Sequence, residues 1–520
     1  MDWSQIEAVR ARLADEQGTL VKDAPVRVAL CYPSPYHVGM SSLGFQTIYR
    51  EIHSHPNATA ERAFLPDDVG AFRQARMPLF TYETQTPVSQ FPVLAFSVAY
   101  ELELTGLFEV LELAGLPILA RERTDAHPLI VAGGPLTNSN PTTLEPFVDL
   151  LIMGEAEETI HTLLERVGSG LGRTALLDSL VGQYGFHVTG RGRPLPGIAK
   201  AEDARLPARS QILTPHTELR SMFLIEPERG CSRGCTYCVM RRTTNGGMRR
   251  VEPERVLSLI PDHAKRVGLV GAAVTDHPRI ADLVRTLVES GREIGISSLR
   301  ADRLTQEFVH LLAKGGYRTL TTASDGTSQR MREAIDRKTN ETHLTNAALY
   351  AREAKLSRLK LYEVMSLPNE TEEDIEELAR FSSELSKIIP VSLGISPFVA
   401  KRNTPLDGAP FEPIPQVEAK LHLLKKRVRG RVEIRSTSAR WAWVEYMLAQ
   451  SGPEAGLAAL DAWRNGGAFA DWKRAFKEHG VKTYPGPVKV PDGRRNLPAI
   501  AWRPPAAATA GAAGSPPSAH

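Results

Sequence analysis

The chain of 520 residues predicts an α/β protein: an open, Rossmann-like parallel sheet, then a partial (β/α)6 TIM-like barrel, then a small, mainly helical C-terminal region. Three observations carry this reading. Short apolar runs alternate with amphipathic helical ones over residues 26–170, and a second such series runs over residues 222–397. Directly after the first strand of that second series, Cys231, Cys235 and Cys238 fall within eight residues. At roughly 100–200 residues per domain, the length implies two to four domains.

Composition narrows the class. Apolar residues make up 42% and charged residues 24%, the balance of a soluble globular chain, which excludes wholesale disorder. Sixty-three Lys and Arg against 60 Asp and Glu give a net charge of +3, so no chain-wide nucleic-acid or membrane footprint is expected. The longest apolar runs, such as Pro128–Pro135 and Leu150–Gly154, fall far short of the ~20 residues that cross a bilayer. The start, MDWSQIEAVRARLADEQ, has no apolar core and does not read as a secretory signal. A cytoplasmic protein without a membrane span is the expectation.

Taken in order, residues 1–25 read as a helical extension and residues 26–170 as the open sheet. Strands are expected at Val26–Cys31, Val93–Val98, Leu129–Ala132 and Asp149–Met153, with helices at Ser41–His53, Glu101–Ala114 and Glu155–Val167. Strands alternating with helices of that length make parallel crossover units. The loops Tyr32–Gly39 and Gly133–Pro141 and the Gly154–Glu155 turn follow strand carboxyl ends, where open α/β sheets bind ligands. Gly133, Gly134 and Gly154 either let a ligand approach the backbone or simply make turns. Residues 171–220, punctuated by Pro194, Pro196, Pro207 and Pro215, read as a connector with a few short strands.

Residues 221–400 carry the barrel. Its strands are Met222–Pro227, Val267–Ala273, Glu293–Ser298, Tyr317–Ala323, Leu359–Ser366 and Val391–Pro397, with helices over 252–265, 278–290, 304–314, 327–335, 341–355 and 371–387. Residues 401–483 read as mainly helical, with one strand-like stretch near Val432–Thr437. Residues 484–520, ending PPAAATAGAAGSPPSAH, are a Pro/Ala-rich tail of disordered composition.

The cysteines carry the chemistry. Clustering on one loop is the pattern of a metal site in a reducing compartment rather than of a disulfide framework. Three thiolates spaced C-x3-C-x2-C hold three irons of a cubane cluster and leave one iron open. Zinc is the rival, but a structural zinc site takes four protein ligands. The fourth cysteine, Cys31, lies in another predicted domain, and His216 and His263, the nearest histidines, make no zinc spacing.

The stretch ERGCSRGCTYC, after a strand and opening a βα barrel, resembles the radical S-adenosylmethionine (SAM) superfamily. The resemblance implies that Cys231, Cys235 and Cys238 bind a [4Fe–4S] cluster whose open iron chelates SAM. One electron then cleaves the sulfonium to methionine and a 5′-deoxyadenosyl radical that abstracts hydrogen from substrate. Tyr237, before the last cysteine, fits the pattern. The segments YPSPYHVGMSSLGFQTIY, ERAFLPDD, FSVAYELELTG, AGGPLTNSNPTTLEPFVDLLIMGEAEE and KLYEVMSLPNETEEDI look like a subfamily with an amino-terminal cobalamin (B12)-binding-like domain and poorly defined substrates. The likeness covers about residues 25–480.

By the same resemblance, Ser298 and Arg300 sit at a strand end in the barrel mouth as SAM contacts. Asp325 stands before Gly-Thr where many relatives have glutamate; a structural ion pair is the other reading of Arg300 and Asp325. Pro368 and Glu370 are candidates for shaping the adenine pocket, or belong to a helix start capped by Thr371. Thr275 and Asp276 are candidates for the SAM amino group, or plain loop polarity. Cobalamin is a candidate cofactor although no D-x-H-x-x-G string occurs; His37 and Cys31 lie in a loop of the right kind, and an inherited scaffold without corrinoid is the other reading.

Two basic stretches, KKRVRGRVEIR (425–435) and RRTTNGGMRR (241–250), read as solvated faces or as contacts for an anionic substrate, a reductant or RNA. An electron donor such as flavodoxin or ferredoxin is implied. The substrate, small-molecule or macromolecular, and the residues acting on it are not identified by the sequence. Cobalamin-dependent methyl transfer, RNA modification or a ribosome-associated role, and a non-catalytic iron–sulfur binding module remain as readings.

Overall fold

Strand β1, Val26–Pro35, is buried along almost its whole length, as a parallel strand covered on both faces must be. It lies between β2 (Ala58–Leu65) and β3 (Val93–Ser97), followed by β4 (Leu129–Gly133), β5 (Leu150–Ile152) and β6 (Phe186–Val188), in the order β2-β1-β3-β4-β5-β6. The first five are parallel and β6 is antiparallel to β5. The computed structural model describes residues 3–241 and 247–483; the Pro/Ala-rich tail and residues 242–246 of the 241–250 stretch lie outside them.

One of these strands, β2, was not expected; β6 falls in the connector, where a few short strands were. The apolar run of β2 is broken by Glu61 and Arg62, which disguises it in sequence. Both are buried, Glu61 paired with Arg27 at 2.9 Å and Arg62 with Glu16 at 2.7 Å and Glu83 at 2.6 Å. The stretch read as a connector holds a helix, Arg173–Leu180, as well as β6.

In the second half, β7 (Met222–Ile225) leads to a short antiparallel hairpin, β8 (Glu228–Gly230) with β9 (Met248–Arg250). Strands β10 (Arg266–Leu269) and β11 (Glu293–Ile296) pair parallel with β7 in the order β11-β10-β7. Strands β12 (Thr319–Ala323), β13 (Arg358–Met365), β14 (Val391–Pro397) and β15 (Val432–Ser436) form a second parallel sheet in chain order. All six anticipated strands are present, but they hydrogen-bond as sheets of three and four rather than as one, and β15 adds a seventh. Side chains bridge the seam: the Tyr317 hydroxyl accepts from Ile296 N at 2.5 Å, and Thr322 Oγ1 donates to the Leu299 carbonyl at 2.7 Å.

The C-terminal helices Ala439–Gln450, Pro453–Arg464 and Phe469–Glu478 bury Val444, Leu448, Leu460, Trp472 and Phe476 in the same core as the first sheet. A separate core lies under the helices of the second half. The chain therefore returns at its C-terminal end to complete its N-terminal layer.

Candidate active site

The hairpin β8–β9 supports the cysteine loop. Just before it, Glu228 is buried and accepts from Ala273 N at 2.9 Å; burial pushes its carboxyl up to about 7. Arg229 pairs with Glu226 at 2.9 Å and with Glu157 at 2.7 Å. Arg249 pairs with Glu155 and donates to the Ala201 carbonyl at 2.6 Å. The acidic run after β5 thus grips both strands of the hairpin. The loop itself is pinned at Thr236, whose N–H donates to the Ile335 carbonyl at 3.1 Å and whose carbonyl accepts from Leu406 N at 3.2 Å.

Cys231, Cys235 and Cys238 line one cavity of about 220 Å³ at the carboxyl ends of the parallel strands, together with Tyr237, Ser298, Arg300 and Asp325. Burial raises the Cys231 thiol and pushes the Cys238 thiol up to about 11. Among the described residues, no three His, Cys, Asp or Glu side chains are gathered around a point suited to one metal ion. A cubane asks for something else, each thiolate on its own iron, and three thiols spread over one cavity wall fit it.

The surrounding cations are held by carboxylates. Arg300, buried, pairs with Asp302 at 3.1 Å and with Asp276 at 3.5 Å. Arg233 pairs with Asp276 at 2.8 Å. Burial opposes ionisation of Asp276, yet the Arg233 hydrogen bond and the neighbouring Arg300 and Arg303 hold it below the usual carboxylate range. Asp325, in the left-handed region with φ 63°, pairs with the half-buried Arg337 at 3.1 Å. Burial, with that carboxylate facing it, drives the Tyr237 phenol well up. An ion pair between Arg300 and Asp325 is therefore not formed; each has its own partner.

Other candidates fall elsewhere. Thr275 and Asp276 do not line the cavity; the Thr275 hydroxyl accepts from Arg300 N at 3.1 Å, so both hold Arg300 in place. Ser298 lines the cavity while its hydroxyl donates to the Gly271 carbonyl at 3.0 Å. Pro368 and Glu370 also lie off the cavity. Glu370 is buried and accepts from Thr327 Oγ1 and Ser366 N, each at 2.7 Å, and from Lys420 at 3.2 Å. Thr371 is the N-cap of the helix Glu372–Ile388, its N–H donating to Asp374 at 2.7 Å.

After β4 and β5 the chain closes on its own strand ends. A Cβ at Gly134 would meet the Val98 carbonyl oxygen at 2.7 Å, and one at Gly154 the Ala199 carbonyl oxygen at 2.5 Å. Gly133 faces only Ile152, at ordinary contact distance. After β1, the Tyr36 hydroxyl donates to Glu16 at 2.6 Å. After β4, Asn140 donates to the Ser451 carbonyl at 2.7 Å. Cys31 is wholly buried, its thiol driven well up by burial, and His37 is exposed. Cavities of about 260 Å³ near β4 and β5 and about 370 Å³ beside Pro35, Tyr36 and His37 after β1 open at this end of the sheet.

Of the basic stretches, residues 425–431 precede the amino-terminal end of β15, and Glu433 and Arg435 lie within that strand. In the other, Arg249 is committed to Glu155. Sequence reasoning passed over Arg233, Arg337 and Tyr362, which also line the cavity. Arg233 stood inside the cysteine motif; the other two carry no local signal.

Residues 44–188 match the family model of radical SAM proteins, N-terminal, and residues 225–382 match that of the radical SAM superfamily. An uncharacterized protein of Methanocaldococcus jannaschii is 24% identical over 391 residues, 74% of this chain and 80% of that protein. The cobalamin-dependent SAM radical enzyme OxsB, with aqua-cobalamin bound, is similar at 15% identity and a TM-score of 0.49, over 69% of this chain and 52% of that one. Streptococcus suis SuiB is similar at 16% identity and a TM-score of 0.31, over 43% of this chain and 50% of that one. The chain thus spans about half the length of each solved structure. Among the described residues, no helix is long and apolar enough to cross a membrane.

Proposed function

We propose that this chain, a radical SAM protein by the match over residues 225–382, is an enzyme that cleaves SAM reductively to activate a substrate by hydrogen abstraction. The observation that carries the reading is the meeting of Cys231, Cys235 and Cys238 with Ser298, Arg300 and Asp325 on one cavity. The two parallel sheets act as the wall of a partial barrel with that cavity at its mouth. A [4Fe–4S] cluster, when held by the three thiolates, supplies the electron that cleaves SAM to methionine and a 5′-deoxyadenosyl radical.

The chain's own residues do the rest. Arg300, fixed by Asp302 and Thr275, offers a buried cation for the SAM carboxylate. Asp325, fixed by Arg337, offers an acceptor for the ammonium or ribose hydroxyls. The Tyr237 ring lines the cavity beside Asp325 and helps to exclude water from it. An electron donor of the flavodoxin or ferredoxin class reaches the cluster through its loop. The N-terminal sheet is read as a scaffold, since the chain closes on the β4 and β5 ends at Val98 and Ala199, and no step is assigned to cobalamin.

Anaerobic reconstitution with iron and sulfide is expected to give about four irons per chain. SAM and dithionite should then yield 5′-deoxyadenosine, which vanishes in Cys235→Ala. A wild-type protein that takes up no iron overturns the reading. Equilibration with hydroxocobalamin is expected to leave no stoichiometric corrinoid after gel filtration; one corrinoid per chain would restore methyl transfer as the reaction.

A further inference from the structure

Parallel strands covered on both faces are apolar throughout; β13 is not. Leu359, Leu361 and Met365 point into the core under the helices, whereas Lys360 and Tyr362 alternate with them on the other face. Tyr362 is 46% exposed although β13 lies between β12 and β14. Its ring lies over β14 at Gly394, where a Cβ would come within 3.0 Å of it. The register places Arg435 beyond that glycine on the same face.

The charge on this face is unbalanced. Glu433 is shared by Arg358 and Arg435. The Lys360 ammonium donates to the Tyr362 hydroxyl at 2.9 Å and sits 4.6 Å from the ring centroid; no carboxylate accompanies it among the described residues. Tyr362 also lines the cavity of the three cysteines, so this cationic, aromatic surface is continuous with the proposed reaction centre. On the three-stranded sheet, Met222, Leu224, Gly268 and Gly295 pack against one another, and Glu293, two residues before Gly295 on the same face, is already paired with Arg266 at 3.0 Å.

We propose that this face, with Lys360 and Tyr362 at its centre, binds an anionic group, carboxylate or phosphate, on the substrate. The assignment names the substrate class for the radical SAM reading and rests on that reading for its chemistry. A half-exposed ammonium held over an aromatic ring is preorganised for such a group, and the strands place it below the cysteines, where a bound substrate faces the cavity. Charge-assisted hydrogen bonds of this kind are the strong ones.

The test is calorimetric titration of the reconstituted protein with inorganic phosphate and, separately, with succinate. Saturable binding of at least one is expected, and which one binds tells phosphate from carboxylate. Lys360→Met should weaken it about tenfold or more, while Lys425→Met, in the distant basic stretch, should leave it unchanged. Iron content reports that each variant has folded. No saturable binding to the wild-type protein, or equal binding in wild type and Lys360→Met, overturns the proposal. Failure of SAM cleavage with binding still dependent on Lys360 would instead overturn the radical reading and leave the anion site standing.

Discussion

Glu228 stands three residues before the first cysteine with one carboxylate oxygen bonded to Ala273 N and the other without a hydrogen-bond partner. Burial lifts its carboxyl from about 4.5 to about 7, so the folded protein prefers it neutral. Between those two values the unfolded chain ionises this group while the folded protein does not, and stability falls as pH rises, by up to about 3 kcal/mol above pH 7. Glu228→Gln removes that penalty. Its denaturant midpoint should exceed that of the wild type at pH 8, and the two should converge near pH 4.5. A difference independent of pH would show that the residue does not titrate there. At this scale the sequence was legible where function is contiguous: three cysteines within eight residues need no fold to be seen. Arg337 and Tyr362 were not, because only the βα repeat brings positions 99 and 124 residues beyond Cys238 to the same cavity.

The hairpin β8–β9 is the element on which the site depends, and it is anchored by charge rather than by apolar burial. Arg249 is buried beside Glu155, and Arg229 is shared between Glu226 and Glu157. Removing one member of a buried pair strands the other, at about 3–5 kcal/mol. Glu155→Gln and Arg249→Met are each expected to be strongly destabilising and the double variant far less so than their sum, with the coupling read from a double-mutant cycle in urea. Additive effects would mean that the acidic run does not grip the hairpin. The Gly154–Glu155 turn was visible at a strand end, open to two readings, a loop that a ligand approaches or a plain turn. The structure turns it to the hairpin, because Gly154 brings the backbone against Ala199. The same limit hid β2, whose Glu61 and Arg62 break an apolar run and whose partners Arg27, Glu16 and Glu83 are dispersed along the chain. Periodicity finds strands whose burial is apolar; strands buried through ion pairs escape it.

Across the whole molecule, the two halves are joined by a return of the chain rather than by a simple boundary. Segment 401–407 reaches both: Lys401 pairs with Glu101 at 2.6 Å, Asn403 donates to the Ser139 carbonyl at 2.9 Å, and Leu406 N donates to Thr236 in the cysteine loop. The helices beyond it then complete the first core. Trp463 lies 5.9 Å from Phe108, Trp472 lies 5.6 Å from Phe476, and Trp472 is only 2% exposed. Trp472→Ala should therefore cost about 3–5 kcal/mol, and the loss should appear in a layer far from it in sequence. Hydrogen exchange is expected to quicken in β3, β4 and the helix Leu104–Leu113, with β12–β14 unchanged, because the second core contains none of these side chains. Iron retention should fall as well, since segment 401–407, which pins the cysteine loop, is held from the same side. Faster exchange in β12–β14 would show that the C-terminal helices brace the second half rather than the first, and iron retained at the wild-type level would show that the cysteine loop is positioned by its own sheet.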